Sequence, residues 1–151
     1  MKVEHRAAIP ADVDALLAAG IPESNLQEIR RVASMHPEAA IRATFDGADF
    51  RVSSWAGGEI MALWGATRKS LISSDGIFWL IASQHAAKKP FLFAKETKRL
   101  HGIFDAQYQR LENYVDAGNG KIIRWLEWLG FSFDQEPVIS ATGHRVLRFW
   151  R

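Results

Sequence analysis

Six consecutive residues, Ile77-Phe78-Trp79-Leu80-Ile81-Ala82, carry no polar side chain. A strand with one face in water alternates polar and apolar residues, so a run that is apolar throughout is covered on both faces. We expect it to be the central strand of a sheet. The chain has 151 residues, 48% of them hydrophobic and 24% charged, which fits one domain and leaves no room for two. The expectation is a single domain over residues 1–151.

The flanking segments supply the covering layers. Val3 to Ile9 alternates as a short strand, and Pro10-Ala11-Asp12 opens a helix that Gly20 stops. Proline loses nothing in a first helical turn, and an early acid meets the positive helix end. Ser24 is placed to cap a helix carrying Leu26, Ile29, Val32 and Met35, and Pro37 starts another through Ala40, Ile41 and Phe45. Phe50 to Trp55, the turn Gly57-Gly58 and Ile60 to Trp64 read as a hairpin. After the central strand, Phe93, Thr97, Leu100, Phe104 and Tyr108 recur at helical spacing from about Pro90. Leu111 to Asp116 reads as a strand. Asn119 caps a helix with Ile122, Ile123, Leu126 and Leu129 on its apolar face, and Gly130 ends it. Phe131 and Phe133, then Arg145 to Trp150, supply two last strands. This order describes an α/β domain with helices packed on a central sheet.

Several classes of chemistry find no support. There is no cysteine, hence no disulfide, thiolate nucleophile or cysteine-based zinc site. His5, His36, His85, His101 and His144 never pair with another ligand at helical spacing, so no metal is expected. No Gly-x-Ser-x-Gly elbow and no phosphate-binding P-loop occurs. Nineteen Lys and Arg against 17 Asp and Glu give a net charge of +2 spread along the chain, with no basic stripe for nucleic acid. Glu4, Arg6, Asp12 and Asp14 interrupt any apolar leader, and the uncharged run from Gly76 to Ala87 is too short to span a bilayer. A soluble chain without a membrane span is expected.

The words Tyr114-Val115-Asp116, Asn119-Gly120-Lys121-Ile122-Ile123 and Leu129-Gly130-Phe131 resemble the late strand, capped helix and Gly-Phe corner of the GNAT acetyltransferase superfamily. The opening Arg6-Ala7-Ala8-Ile9-Pro10-Ala11-Asp12-Val13 resembles its first strand and helix. The resemblance implies an acyl-CoA N-acyltransferase fold, a mixed and mostly antiparallel central sheet flanked by helices. Within that superfamily, Leu111-Glu112-Asn113-Tyr114-Val115-Asp116, Arg124-Trp125-Leu126-Glu127-Trp128-Leu129-Gly130-Phe131 and Ala62-Leu63-Trp64-Gly65 resemble a family of small internal virion proteins of short-tailed bacteriophages. That likeness implies other phage virion proteins as partners, and the virion, with the host cytoplasm during assembly, as the location.

The superfamily resemblance also assigns parts. The cofactor's pyrophosphate takes a turn of free backbone N–H groups after the central strand, written Arg or Gln, two residues, Gly, one residue, Gly or Ala. Gln84-His85-Ala86-Ala87-Lys88-Lys89 occupies that place: Gln84 matches, Ala87 and Lys89 stand where conformationally free residues are expected, and Pro90 removes a donor. Gln84, His85, Ala87, Lys88, Lys89 and the cap Asn119 are therefore the candidate cofactor contacts, with acetyl-CoA expected only if activity survives. The tyrosine that reprotonates the thiolate falls on Leu126, which has no proton to give. Tyr114 is the substitute acid, and Glu112, with Glu59 behind it, the candidate base.

Trp125 and Trp128 lie three apart on the late helix and widen its apolar stripe beyond what one sheet face covers, which makes them candidate interface residues. The combined expectation is a virion-associated protein with an acetyltransferase-like shape, weak or absent catalysis and no cofactor. The alternative is an acyl-CoA-dependent N-acetyltransferase acting on a host or phage amine. The discriminating feature is the gap between strands Ile77 to Ala82 and Leu111 to Asp116: an open wedge favours the enzyme, a plugged one the scaffold.

Overall fold

The computed structural model describes residues 2–33 and 35–151. Among them the chain runs β1 (Val3–Ala7), α1 (Pro10–Ala19), α2 (Glu23–Val32), α3 (Pro37–Gly47), β2 (Phe50–Ala56), β3 (Glu59–Arg68), β4 (Asp75–Ala82) and α4 (Gln84–Ala87). It continues with α5 (Pro90–Gln107), β5 (Arg110–Asp116), α6 (Gly120–Trp128), β6 (Ser132–Phe133), β7 (Val138–Ile139) and β8 (Arg145–Trp150). The strands form one sheet in the order β1-β2-β3-β4-β5-β8-β6, with β7 also paired to β8. Every pairing is antiparallel except β4 with β5. This is the expected mixed, mostly antiparallel α/β architecture.

The fully apolar strand is central, as its composition requires. Phe78 packs with Trp64, Leu100, Phe104, Leu111, Leu126, Phe131 and Phe149 on the side of α5 and α6. Trp79 and Ile81 pack with Val13, Leu16, Ile41, Phe45 and Leu63 on the side of α1 and α3. Two cores therefore share one sheet.

Local signals explain most element ends. Pro10 occupies the first turn of α1, the Ile9 N–H donates to Asp12 Oδ2 at 3.0 Å, and Gly20 stops the helix at φ +92°. Asn119 caps α6 by accepting the Ile122 N–H at 3.3 Å, and Gly130 turns the chain at φ +98°. Three expectations need correction. Ser24 does not cap α2: Pro22 precedes the helix, and its carbonyl takes the Asn25 and Leu26 amides. α2 stops at Val32, short of Met35. Val138–Ile139 adds a strand inside what reads as a loop, because β8 has a free edge there.

Gly65 on β3 is fixed by its neighbour across the sheet. A Cβ there would sit 2.2 Å from Trp79 Cζ2, and Trp79 is wedged in the α1 and α3 core. Gly65→Ala is expected to cost about 2 kcal/mol through overpacking, read as a lower urea midpoint. A loss under about 0.5 kcal/mol would show that the Trp79 ring moves aside freely.

Candidate functional site

β4 and β5 pair only across Asp75–Arg110, Gly76–Leu111 and Ile77–Glu112, then diverge. A wedge opens between them beyond Ile77 and Glu112. Three of its edge groups are engaged, the Phe78 carbonyl and the Tyr114 and Asp116 amides. The Asn113 amide sits at the vertex, where Nδ2 donates to the Phe78 carbonyl at 2.7 Å and Oδ1 accepts the Tyr114 N–H at 2.7 Å. At the mouth, the Asp116 N–H donates to the Glu28 carboxylate at 2.9 and 3.1 Å. Two N–H groups of β5 that face the wedge, those of Tyr114 and Asp116, are thus taken by side chains of the same chain.

α2 closes the mouth. Arg31 Nη1 donates to Asp116 Oδ2 at 2.8 Å, while the Arg31 carbonyl accepts the hydroxyls of Ser140 and Thr142 from the β7–β8 turn. Burial pushes the Glu28 carboxyl above its usual range. The Asp116 N–H works against that rise, and the Asp116 charge adds to it. Beside these contacts lies a hollow of about 220 Å³ lined by Ser24, Gln27, Glu28, Arg31, Asp116 and Asn119. Glu28, Arg31 and Asn113 were not singled out by sequence reasoning.

The turn after β4 is wound into the short helix α4. The Gln84 amide donates to the Gly20 carbonyl at 2.9 Å, and the His85 amide to Ser83 Oγ at 3.1 Å. The Ala87, Lys88 and Lys89 amides donate to the carbonyls of Ser83, Gln84 and Ala86. Pro90 follows with no N–H. A diphosphate needs several unengaged N–H groups converging on one point, and five amides here are engaged, four of them inside the turn and that of Gln84 on Gly20. The amides of Gln84, His85, Ala87, Lys88 and Lys89 are therefore not free to hold one. Among the side chains, His85 Nδ1 lies 3.1 Å from Glu59 Oε2, and Lys88 is exposed.

The candidate acid and base are placed apart from the hollow's lining. Tyr114 is 44% exposed on β5. Glu112 is buried and holds ion pairs with Lys69 and Arg148. Burial raises its carboxyl, but the hydrogen bonds from Lys69 and Arg148 outweigh that and hold it below the ordinary range, which makes it a poor proton acceptor. Leu126 is 3% exposed within the core. Trp125 stacks on Phe93 of α5 with centroids 6.1 Å apart and rings 9° from parallel. Trp128 is 48% exposed, with Lys98 Nζ 4.6 Å above its ring. Among the described residues no cluster of three metal-ligating side chains occurs, and no helix is long and apolar enough to cross a membrane.

Comparison with known proteins finds shape without sequence. No protein family and no curated protein matches the chain. Solved structures do match in three dimensions. Ard1 from Thermoplasma volcanium is 14% identical, with 100% of this chain and 97% of that one covered at a TM-score of 0.74. Spermidine N-acetyltransferase from Vibrio cholerae, solved with CoA and spermine, is 14% identical, covering 99% and 94% at a TM-score of 0.72. An acetyltransferase of the GNAT family from Streptococcus pneumoniae is 14% identical, covering 99% and 98% at a TM-score of 0.61. Nothing in these comparisons links the chain to virion proteins. Extended over the whole chain and joined to the splayed β4 and β5, this likeness shows that the protein has the GNAT acetyltransferase fold.

Proposed function

We propose that this chain is a GNAT-fold scaffold that acts by contacting other proteins and carries weak or no acyl-CoA chemistry. The observation behind this reading is the turn after β4, where the amides of Gln84, His85, Ala87, Lys88 and Lys89 are engaged by this chain's own acceptors and a cofactor cradle would need them free. Asn113 bridging the wedge and Leu126 at the expected tyrosine position support it. The residue words that resemble those of internal virion proteins extend the proposal to partners within a phage particle. That extension rests on sequence resemblance alone.

A second reading, an acyl-CoA-dependent N-acetyltransferase acting on an amine, is favoured by the shape shared with such enzymes and by the splay of β4 from β5. The comparisons weigh on this side; the filled turn weighs against it. Fold alone does not carry an ancestral reaction.

Calorimetry separates the two. Titrating coenzyme A and acetyl-CoA to about 1 mM, the upper end of ordinary substrate constants, is expected to give no saturable heat and no rise in melting temperature. One-to-one binding in the micromolar range, with acetyl-dependent thiol release on an amine panel, would replace the scaffold reading with the enzyme.

A further inference from the structure

β1 ends the sheet, and among the described residues no strand pairs with its outer side. The direction of its backbone groups follows from one bond: the Ala8 N–H donates to the Arg51 carbonyl of the adjoining chain segment at 3.2 Å, toward β2. Alternation then turns the N–H and C=O groups of Val3, His5 and Ala7 to the free side. An edge of this kind is a template for another strand, and proteins that keep it single do so with charge or proline.

The charges here do something more specific. Glu4 and Arg6 flank His5, and both side chains are exposed. Glu4 has no ion pair among the described residues. Arg6 has a 4.0 Å contact with Asp12 and lies 4.4 Å over the Trp55 ring. Two β1 strands laid antiparallel about a two-fold axis through His5 set Glu4 of each opposite Arg6 of the other, and Val3 opposite Ala7. Because His5 then sits in a hydrogen-bonded pair, the Glu4 and Arg6 pairs fall in the non-hydrogen-bonded positions, where side chains approach most closely. Slipping the register by two residues in either direction opposes Glu4 to Glu4 or Arg6 to Arg6. Slipping it by one sends every side chain to the other face. One register is therefore selected and its alternatives are penalised.

We propose that the partner of this edge is a second copy of the chain, joined as a closed two-fold dimer whose sheet runs continuously through both copies. This goes beyond the scaffold reading and is independent of whether coenzyme A binds, so either can fail alone.

Sedimentation equilibrium of the full chain is expected to show a dimer. Glu4→Arg, which makes the edge wholly basic, and Arg6→Glu, which makes it wholly acidic, are each expected to raise the dimer dissociation constant by about tenfold or more, with unchanged circular dichroism. An equimolar mixture of the two restores every cross-strand pair and is expected to recover the dimer, an outcome that damage to the fold does not produce. A wild-type monomer at about 100 μM, above the constants typical of specific complexes, would overturn the proposal. So would a dimer indifferent to both substitutions, or a mixture that stays monomeric.

Discussion

Trp64→Ala is expected to lower the unfolding free energy by about 3–5 kcal/mol, the range for removing a large buried aromatic. The indole is 2% exposed and lies 5.7 Å from the Phe93 ring and 6.4 Å from Phe78, centroid to centroid. It also anchors a polar chain inside the sheet. Nε1 donates to Ser54 Oγ at 2.9 Å, Ser54 Oγ lies 2.7 Å from His5 Nδ1, and His5 Nε2 lies 3.0 Å from Glu96 Oε2. Alanine leaves both a cavity and a buried hydroxyl short of a partner, and each destabilises. Trp128→Ala, at a half-exposed ring, is the control and is expected to change stability by under about 1 kcal/mol. Urea denaturation of the two variants checks the contrast; equal losses would mean that Trp64 is not the keystone its packing indicates.

The second large effect is acid sensitivity centred on His101. The residue is 3% exposed, its ring lies 4.9 Å from Phe131, and Nε2 has no hydrogen-bond partner. Burial pushes its pKa down from 6.5 to about 4; the Arg151 charge adds to the drop and Asp105 opposes it. In the unfolded chain the imidazole titrates near 6.5. Between the two values the unfolded state binds the extra proton, so stability is full above 6.5, falls as pH drops and levels off below about 4. The total is about 3 kcal/mol. Glu28, whose carboxyl is raised, acts in the opposite sense, favouring the fold as pH falls toward 4.5. His101→Leu isolates the histidine. Relative to the wild type, the variant is expected to gain about 3 kcal/mol of stability from pH 7.5 to pH 4, and a difference that stays flat would mean that His101 is protonated in the fold.

What the sequence made legible is what local chemistry determines. The unbroken apolar run Ile77 to Ala82 located the middle of the sheet, Gly57-Gly58 located the hairpin, and Asn119 with Gly130 bounded α6. Each follows from a residue's own conformational needs or from burial on both faces. The wedge was less legible, because its character is set by contacts distant in sequence. Glu28 reaches Asp116 across 88 positions, and Arg31 holds Asp116, Ser140 and Thr142 from a helix with no buried residue. Asn113 left a local trace, an amide in the middle of a strand where such residues are uncommon, whose meaning depends on Phe78 standing opposite. The two tryptophans divided: the surplus stripe is partly absorbed by Phe93 beneath Trp125, and only Trp128 presents its ring outward.

The brevity of the β4–β5 seam has a mechanical consequence. Among the described residues, three residue pairs are the only strand pairing between the sheet formed by residues up to Ala82 and that formed from Arg110 onward. The strand pairing of the first part closes through neighbouring hairpins and that of the last through β8 folding back on β5. What joins the two parts is therefore mainly side chains, the Asn113 amide on Phe78, Glu28 and Arg31 on Asp116 and the core that Phe78 shares with Leu111 and Phe149, with α5 as the covalent tether.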